Sequence, residues 1–134
     1  NNGRTLTIFD MGRVPLIYRT GFWDSLRSNG YSLTMAGATV RYRRRVRMFE
    51  KVTVRSRFVT WDARFAYAEQ SMWNKGGECT GHVVYRVAIT GPDGIVPPAE
   101  TMAALGHAEA PETPDWIAQW SLSEAGRPWP PMQD

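Results

Sequence analysis

The chain has 134 residues with 43% apolar and 22% charged content, which bounds it to one globular domain able to close a core without disulfides or metals. No apolar run nears the roughly 18–20 residues that span a bilayer, and the opening residues show no basic-then-apolar signal pattern. Net charge is only +3, yet eight of the sixteen basic residues lie from Arg41 to Arg57 against one acid, Glu50, while from Gly91 onward seven acids face a single base, Arg127; the imbalance predicts an anionic partner near the middle of the chain.

In chain order, residues 3–19 are predicted as a helix, capped by Asn2 and stopped by Thr20-Gly21. Leu6, Ile8, Phe9, Met11, Val14, Leu16 and Ile17 lie on nearly every side of it, the pattern of a helix buried all round. Pro15 is expected to kink it, since proline lacks a donor and clashes one turn back. A second, short helix over 22–28 ends at the turn pair Asn29-Gly30.

From Ala38 the period changes to two. In Val40-Arg41-Tyr42-Arg43-Arg44-Arg45-Val46-Arg47 the odd positions are all arginine, and Val40, Tyr42 and Val46 share the other face. Residues 51–60 alternate likewise, with Val52, Val54 and Phe58 opposite Lys51, Arg55 and Arg57. Phe65, Tyr67 and Trp73 continue the pattern, followed by Val83, Tyr85, Val87 and Ile89. Short turns at Met48-Phe49-Glu50, Trp61-Asp62 and Asn74-Lys75-Gly76-Gly77 predict four strands in an antiparallel meander, which Gly91-Pro92-Asp93-Gly94 closes. Pro97-Pro98-Ala99-Glu100 opens a short helix that ends at Gly106. Residues 107–134 are acidic and read as a terminal extension with one helix over 115–124, carrying Trp116, Ile117, Trp120 and Leu122. One buried helix followed by a sheet with one polar face predicts an α+β fold in which the sheet wraps the helix.

Asn1-Asn2-Gly3-Arg4-Thr5-Leu6-Thr7-Ile8-Phe9-Asp10-Met11-Gly12-Arg13 resembles the start of the central helix in hotdog-fold acyl-CoA thioesterases of the 4-hydroxybenzoyl-CoA thioesterase group. Gly37-Ala38-Thr39-Val40-Arg41-Tyr42-Arg43-Arg44 and Phe49-Glu50-Lys51-Val52 resemble that group's second strand and the turn after it, and Val96-Pro97-Pro98 resembles its closing phrase. The resemblance covers residues 1–106 and implies an antiparallel sheet around a long central helix, with the first strand and the motif's Asp and His falling before residue 1. The motif tyrosine is replaced by Thr5.

What the resemblance implies is hydrolysis of an acyl-CoA to a free acid and CoA. That chemistry needs a carboxylate to attack the carbonyl or activate water, and donors for the oxyanion, which a helix N-terminus offers through its unpaired N–H groups. By the resemblance Asp10 is the catalytic or supporting carboxylate, against a plain ion pair with Arg13, and Asn2 orients the loop or the carbonyl. Asn1, Arg13, Thr60, Trp61 and Arg64 are the set assigned to substrate and CoA, Thr60 and Trp61 bordering the acyl pocket and Arg64 near the nucleotide. Arg41, Arg43, Arg45 and Arg47 read as a solvated outer sheet face in preference to a rim for the CoA phosphates, and nucleic acid is disfavoured because no exposed aromatics interleave with them. His82 reads as a satisfied structural histidine and Cys79 as inert. With one cysteine and two distant histidines (His82 and His107) no metal or other cofactor is expected, and the single cysteine points to a reducing, cytoplasmic compartment. A homodimer or larger homo-oligomer is expected, since edge-to-edge pairing disposes of an exposed edge strand. The alternative is a non-catalytic hotdog module that binds acyl-CoA or only assembles.

Overall fold

The computed structural model describes residues 21–132. The helix expected over 3–19, with Asn1, Asn2, Asp10 and Arg13, lies outside them.

Helix α1 (Phe22–Asn29) stops at Gly30, whose φ of 70° lets its N–H reach back to the carbonyls of Leu26 and Arg27. Left-handed backbone of this kind favours glycine, so the predicted Asn29-Gly30 stop has a direct cause. Four long strands follow, β1 (Ser32–Tyr42), β2 (Val52–Trp61), β3 (Phe65–Asn74) and β4 (Cys79–Gly91), then a short β5 (Gly94–Val96). Helices α2 (Pro98–Ala104) and α3 (Asp115–Ala125) complete the chain. The fold is α+β, and every strand pair is antiparallel.

The strand order is β1-β4-β3-β2, with β5 returning beside the end of β4. This corrects the expected meander: β2, β3 and β4 form one, but β1 pairs with β4, so the segment 43–51 crosses from one edge of the sheet to the other. Met48-Phe49-Glu50 is therefore the tip of a crossover and not a hairpin turn. The arginine stripe is shortened for the same reason. β1 ends at Tyr42, the N–H groups of Arg43 and Arg44 both donate to the Thr80 carbonyl, and only Arg41 of the alternating arginines stays on the strand.

Ladder partners share a face, so the pairing sorts the side chains. One face carries Met72, Val83, Tyr85 and Ile89, all buried, with Val40, Val52, Val54 and Val87 beside them. At one end of that face Phe22 and Leu26 of α1 and Met102 of α2 pack on Ile89, and Phe22 meets the Phe58 ring at 5.1 Å. The opposite face was expected to be polar and open. Instead Ile117 of α3 is buried there against Tyr67 and Val84, with Val59, Phe65 and Trp120 around them. The physical reason is visible in Ala66-Tyr67-Ala68 and Val83-Val84-Tyr85: consecutive apolar residues in a strand put apolar surface on both faces, and both must be covered.

Candidate functional site

Thr60, Trp61 and Arg64 come together at one end of the β2–β3 hairpin, but they point different ways. The register of β2 slips between Phe58 and Thr60, a bulge that turns Val59 and Thr60 to the α3 face and returns Trp61 to the α1/α2 face. Thr60 is buried, and its hydroxyl donates to the Pro111 carbonyl (2.7 Å), pinning the strap that joins α2 to α3. Trp61 packs with the α1/α2 cluster and, with Phe58, Met102, Leu105 and Pro111, lines a small cavity of about 110 Å³ under that strap. Arg64 lies in a turn organised by Asp62, whose Oδ1 accepts from the N–H groups of Arg64 (2.9 Å) and Phe65 (2.8 Å). Its guanidinium sits 5.3 Å over the Phe65 ring, and that of Arg86 sits 4.1 Å over the same ring. The Tyr67 hydroxyl joins this turn to α3, 3.2 Å from Asp62 Oδ2 and 3.3 Å from Ser121 Oγ.

A polar cluster crosses the middle of the α3 face. Glu69 on β3 accepts from His82 Nε2 (2.9 Å) on β4 and from Arg57 Nε on β2. Burial opposes the charge on Glu69, but the hydrogen bonds from His82 and Arg57, with their charges, outweigh it and hold the carboxyl below its ordinary value. His82 also meets the Trp116 ring edge-on, with centroids 6.0 Å apart. Its ring is thus held by a carboxylate and an indole, as the structural reading of His82 requires. Open grooves flank the cluster, one of about 440 Å³ lined by Thr39, Arg41, His82 and Trp116, the other of about 370 Å³ lined by Arg55, Arg57, Glu69 and Trp73.

On the α1/α2 face the polar pair Gln70 and Ser56 interrupts the apolar lining. Gln70 is fully buried between Ala68 and Met72 along β3. Its Nε2 donates to Ser56 Oγ (2.9 Å), while its Oε1 has no hydrogen-bond partner among the described residues. A buried acceptor without a partner costs about 1–3 kcal/mol. Sequence reasoning passed over both Gln70 and Glu69. The signal for Gln70 was available, since it is the one polar residue in the row Ala66, Ala68, Gln70, Met72. No signal for Glu69 existed without knowing that β2, β3 and β4 are neighbours. Among the described residues no three His, Cys, Asp or Glu side chains converge as metal ligands, and no helix is long and apolar enough to cross a membrane.

Residues 1–121 match the family model of the Thioesterase-like superfamily. Protein THEM6 of Xenopus laevis is 32% identical over 123 residues, which is 90% of this chain and 58% of that protein. The chain thus spans rather more than half the length of that relative. Among solved structures, the YbaW probable thioesterase of Escherichia coli superposes with a TM-score of 0.73 at 10% identity, covering 83% of this chain and 86% of that one. The DHNA-CoA thioesterase of Staphylococcus aureus superposes with a TM-score of 0.63 at 18% identity, covering 93% and 78%. At such identities the two structures speak for the fold, which is that of the hotdog thioesterases. With its sheet matching those structures and its family model running from Asn1 into α3, the chain belongs to the thioesterase-like superfamily.

Proposed function

We propose that this chain is an acyl-CoA thioesterase, hydrolysing an acyl-CoA to a free acid and CoA. The observation that carries the reading is the family match over residues 1–121, which takes in Asn1-Asn2 and Asp10 together with the whole sheet. The solved neighbour named as a DHNA-CoA thioesterase supports a CoA ester as the substrate class.

In this reading Asp10 is the carboxylate that activates water or attacks the thioester carbonyl, Asn2 orients the carbonyl, and free N–H groups at a helix start receive the oxyanion. Among the described residues the Glu69 carboxylate is already occupied by His82 and Arg57 on the α3 face. It is a poor candidate for a free base, and Asp10 takes that role here through the resemblance of its segment to the thioesterase motif. Arg64 and Arg13 would contact the CoA phosphates, since guanidinium groups match phosphate geometry. The acting unit is a homodimer in this proposal, with β1 or β2 as the pairing edge, because these two strands end the described sheet.

The test is release of free thiol from a panel of acyl-CoA esters. The wild-type chain is expected to turn over at least one ester, and Asp10→Asn to lose about 100-fold or more of that rate with unfolding unchanged. Full activity in Asp10→Asn would move the base elsewhere. Binding of CoA esters without turnover of any of them would make the chain a non-catalytic module.

A further inference from the structure

The crossover from β1 to β2 carries a feature that neither the core nor a hydrolytic site uses. Phe49 is 96% exposed and Met48 is 66% exposed, side by side at its tip. Isolated exposed apolar residues are ordinary, but an adjacent pair on a held turn is not. This turn is held. The N–H groups of Arg43 and Arg44 anchor its start on the Thr80 carbonyl. Val46 folds back onto the cluster of Met72, Val83 and Tyr85. Its tip is closed reciprocally, Arg47 N–H donating to Glu50 Oε2 (2.9 Å) and Glu50 N–H to the Arg47 carbonyl (3.2 Å). Phe49 itself has φ of 64°, a left-handed conformation that only a few per cent of non-glycine residues adopt. The backbone therefore presents Phe49 outward rather than leaving it to wander.

The surroundings are basic. Arg43, Arg44, Arg45, Arg47 and Lys51 are all exposed on this one segment. Its single acid, Glu50, is spent on closing the turn, and Glu78 of the neighbouring hairpin is taken by Arg44. Arg43, Arg45, Arg47 and Lys51 make no ion pair with another described residue. An exposed apolar tip flanked along the chain by cations without ion-pair partners is the arrangement that suits an anionic bilayer, where the tip enters the acyl boundary and the cations meet lipid phosphates. Nucleic acid would engage the cations but give Met48 no use, and Phe49 stands alone rather than in a stacking platform.

We propose that the 43–51 crossover is a docking surface for anionic phospholipid membrane, with Met48 and Phe49 as the inserted wedge and Arg43, Arg45, Arg47 and Lys51 as the headgroup contacts. The proposal is independent of the thioesterase reading. Each cation held at an anionic surface adds about fivefold to partitioning.

The experiment is flotation of the full chain with vesicles of phosphatidylcholine alone and of phosphatidylcholine with phosphatidylserine, at low and at moderate salt. Partitioning onto the anionic vesicles is expected to exceed that onto neutral ones by at least tenfold and to fall with salt. The Met48→Ser/Phe49→Ser double variant is expected to lose about tenfold or more at either salt, with thermal unfolding unchanged because both side chains are exposed. An Arg45→Gln/Arg47→Gln variant is expected to lower the preference for anionic vesicles by about 25-fold, with the remainder carried by Arg43 and Lys51. The proposal is overturned if wild type and the double variant partition equally, or if neutral and anionic vesicles bind alike. It is also overturned if the double variant alters only RNA retention or only the sedimentation coefficient, outcomes that would make the loop a nucleic-acid contact or a subunit contact.

Discussion

Glu69 accepts from Arg57 and His82 on the two neighbouring strands while lying largely out of solvent, its side chain 20% exposed. The Arg57 guanidinium is mostly exposed and contributes little, whereas the half-buried His82 contact is screened less. Glu69→Gln is therefore expected to cost about 1–2 kcal/mol at neutral pH, read as a shift of the urea midpoint. The sign with pH follows from the direction of the shift. A carboxyl held below its ordinary value adds stability in full above its unfolded value, about 4.3, and loses that contribution as pH falls through the folded value. The gap between wild type and Glu69→Gln should then be complete at pH 7 and shrink as pH falls through the folded value. A gap that did not shrink with acid down to the point of unfolding would mean that packing, not charge, makes the difference. None of this was legible in the sequence. Alternation along β3 places Glu69 with Phe65 and Tyr67, but only the strand order brings Arg57 and His82 to its two sides.

At the scale of elements, local chemistry announced most boundaries. The Asn29-Gly30 stop, the Asn74-Gly77 turn, the Gly91-Gly94 turn and the proline-led α2 all fall where residue types predict them. The order of strands did not follow, because a period of two says which face a residue takes and not which strand lies beside it. The run from Arg41 to Arg47 shows how a pattern overshoots: its alternation continues past Tyr42, but the chain has already left the ladder toward Thr80. Helix α3 was visible as a helix, yet its place on the sheet was not. It runs Asp115–Ala125 with Ile117 as its one buried residue, so its own pattern is a weak guide to its seat. Ile117→Ala removes the side chain that meets Tyr67 and Val84, and is expected to cost about 2–4 kcal/mol. Leu122→Ser, on the same helix but 75% exposed, should stay within about 0.5 kcal/mol of wild type. Thermal or urea unfolding of the pair separates the two, and equal effects would argue against α3 being seated through Ile117.

For the whole molecule, the question is whether residues 107–134 are an appendage or part of the fold. As a proposal, the sequence boundary at residue 106 treats the sheet and α2 as a self-sufficient unit. The contacts argue for a stronger dependence. Pro111 receives the Thr60 hydroxyl, Ser121 reaches both Tyr67 and Arg86, Trp116 covers His82, and Ile117 and Trp120 cover Tyr67. Ending the chain after Gly106 would bare Tyr67, Val84 and Phe65 together, an apolar patch in the middle of a sheet face, and leave the buried Thr60 hydroxyl without its acceptor. Residues 1–106 alone are therefore expected to lose more stability than Ile117→Ala does, and to bind a hydrophobic dye that the full chain does not. The same shortening takes His107 and Pro111 from the small cavity beside Met102 and Trp61 but leaves the packing of Phe22 and Leu26 on Ile89 in place. Far-ultraviolet circular dichroism should consequently keep most of its sheet signal while the unfolding midpoint drops. A shortened chain as stable as the full one, and silent to the dye, would restore α3 to the role of an appendage.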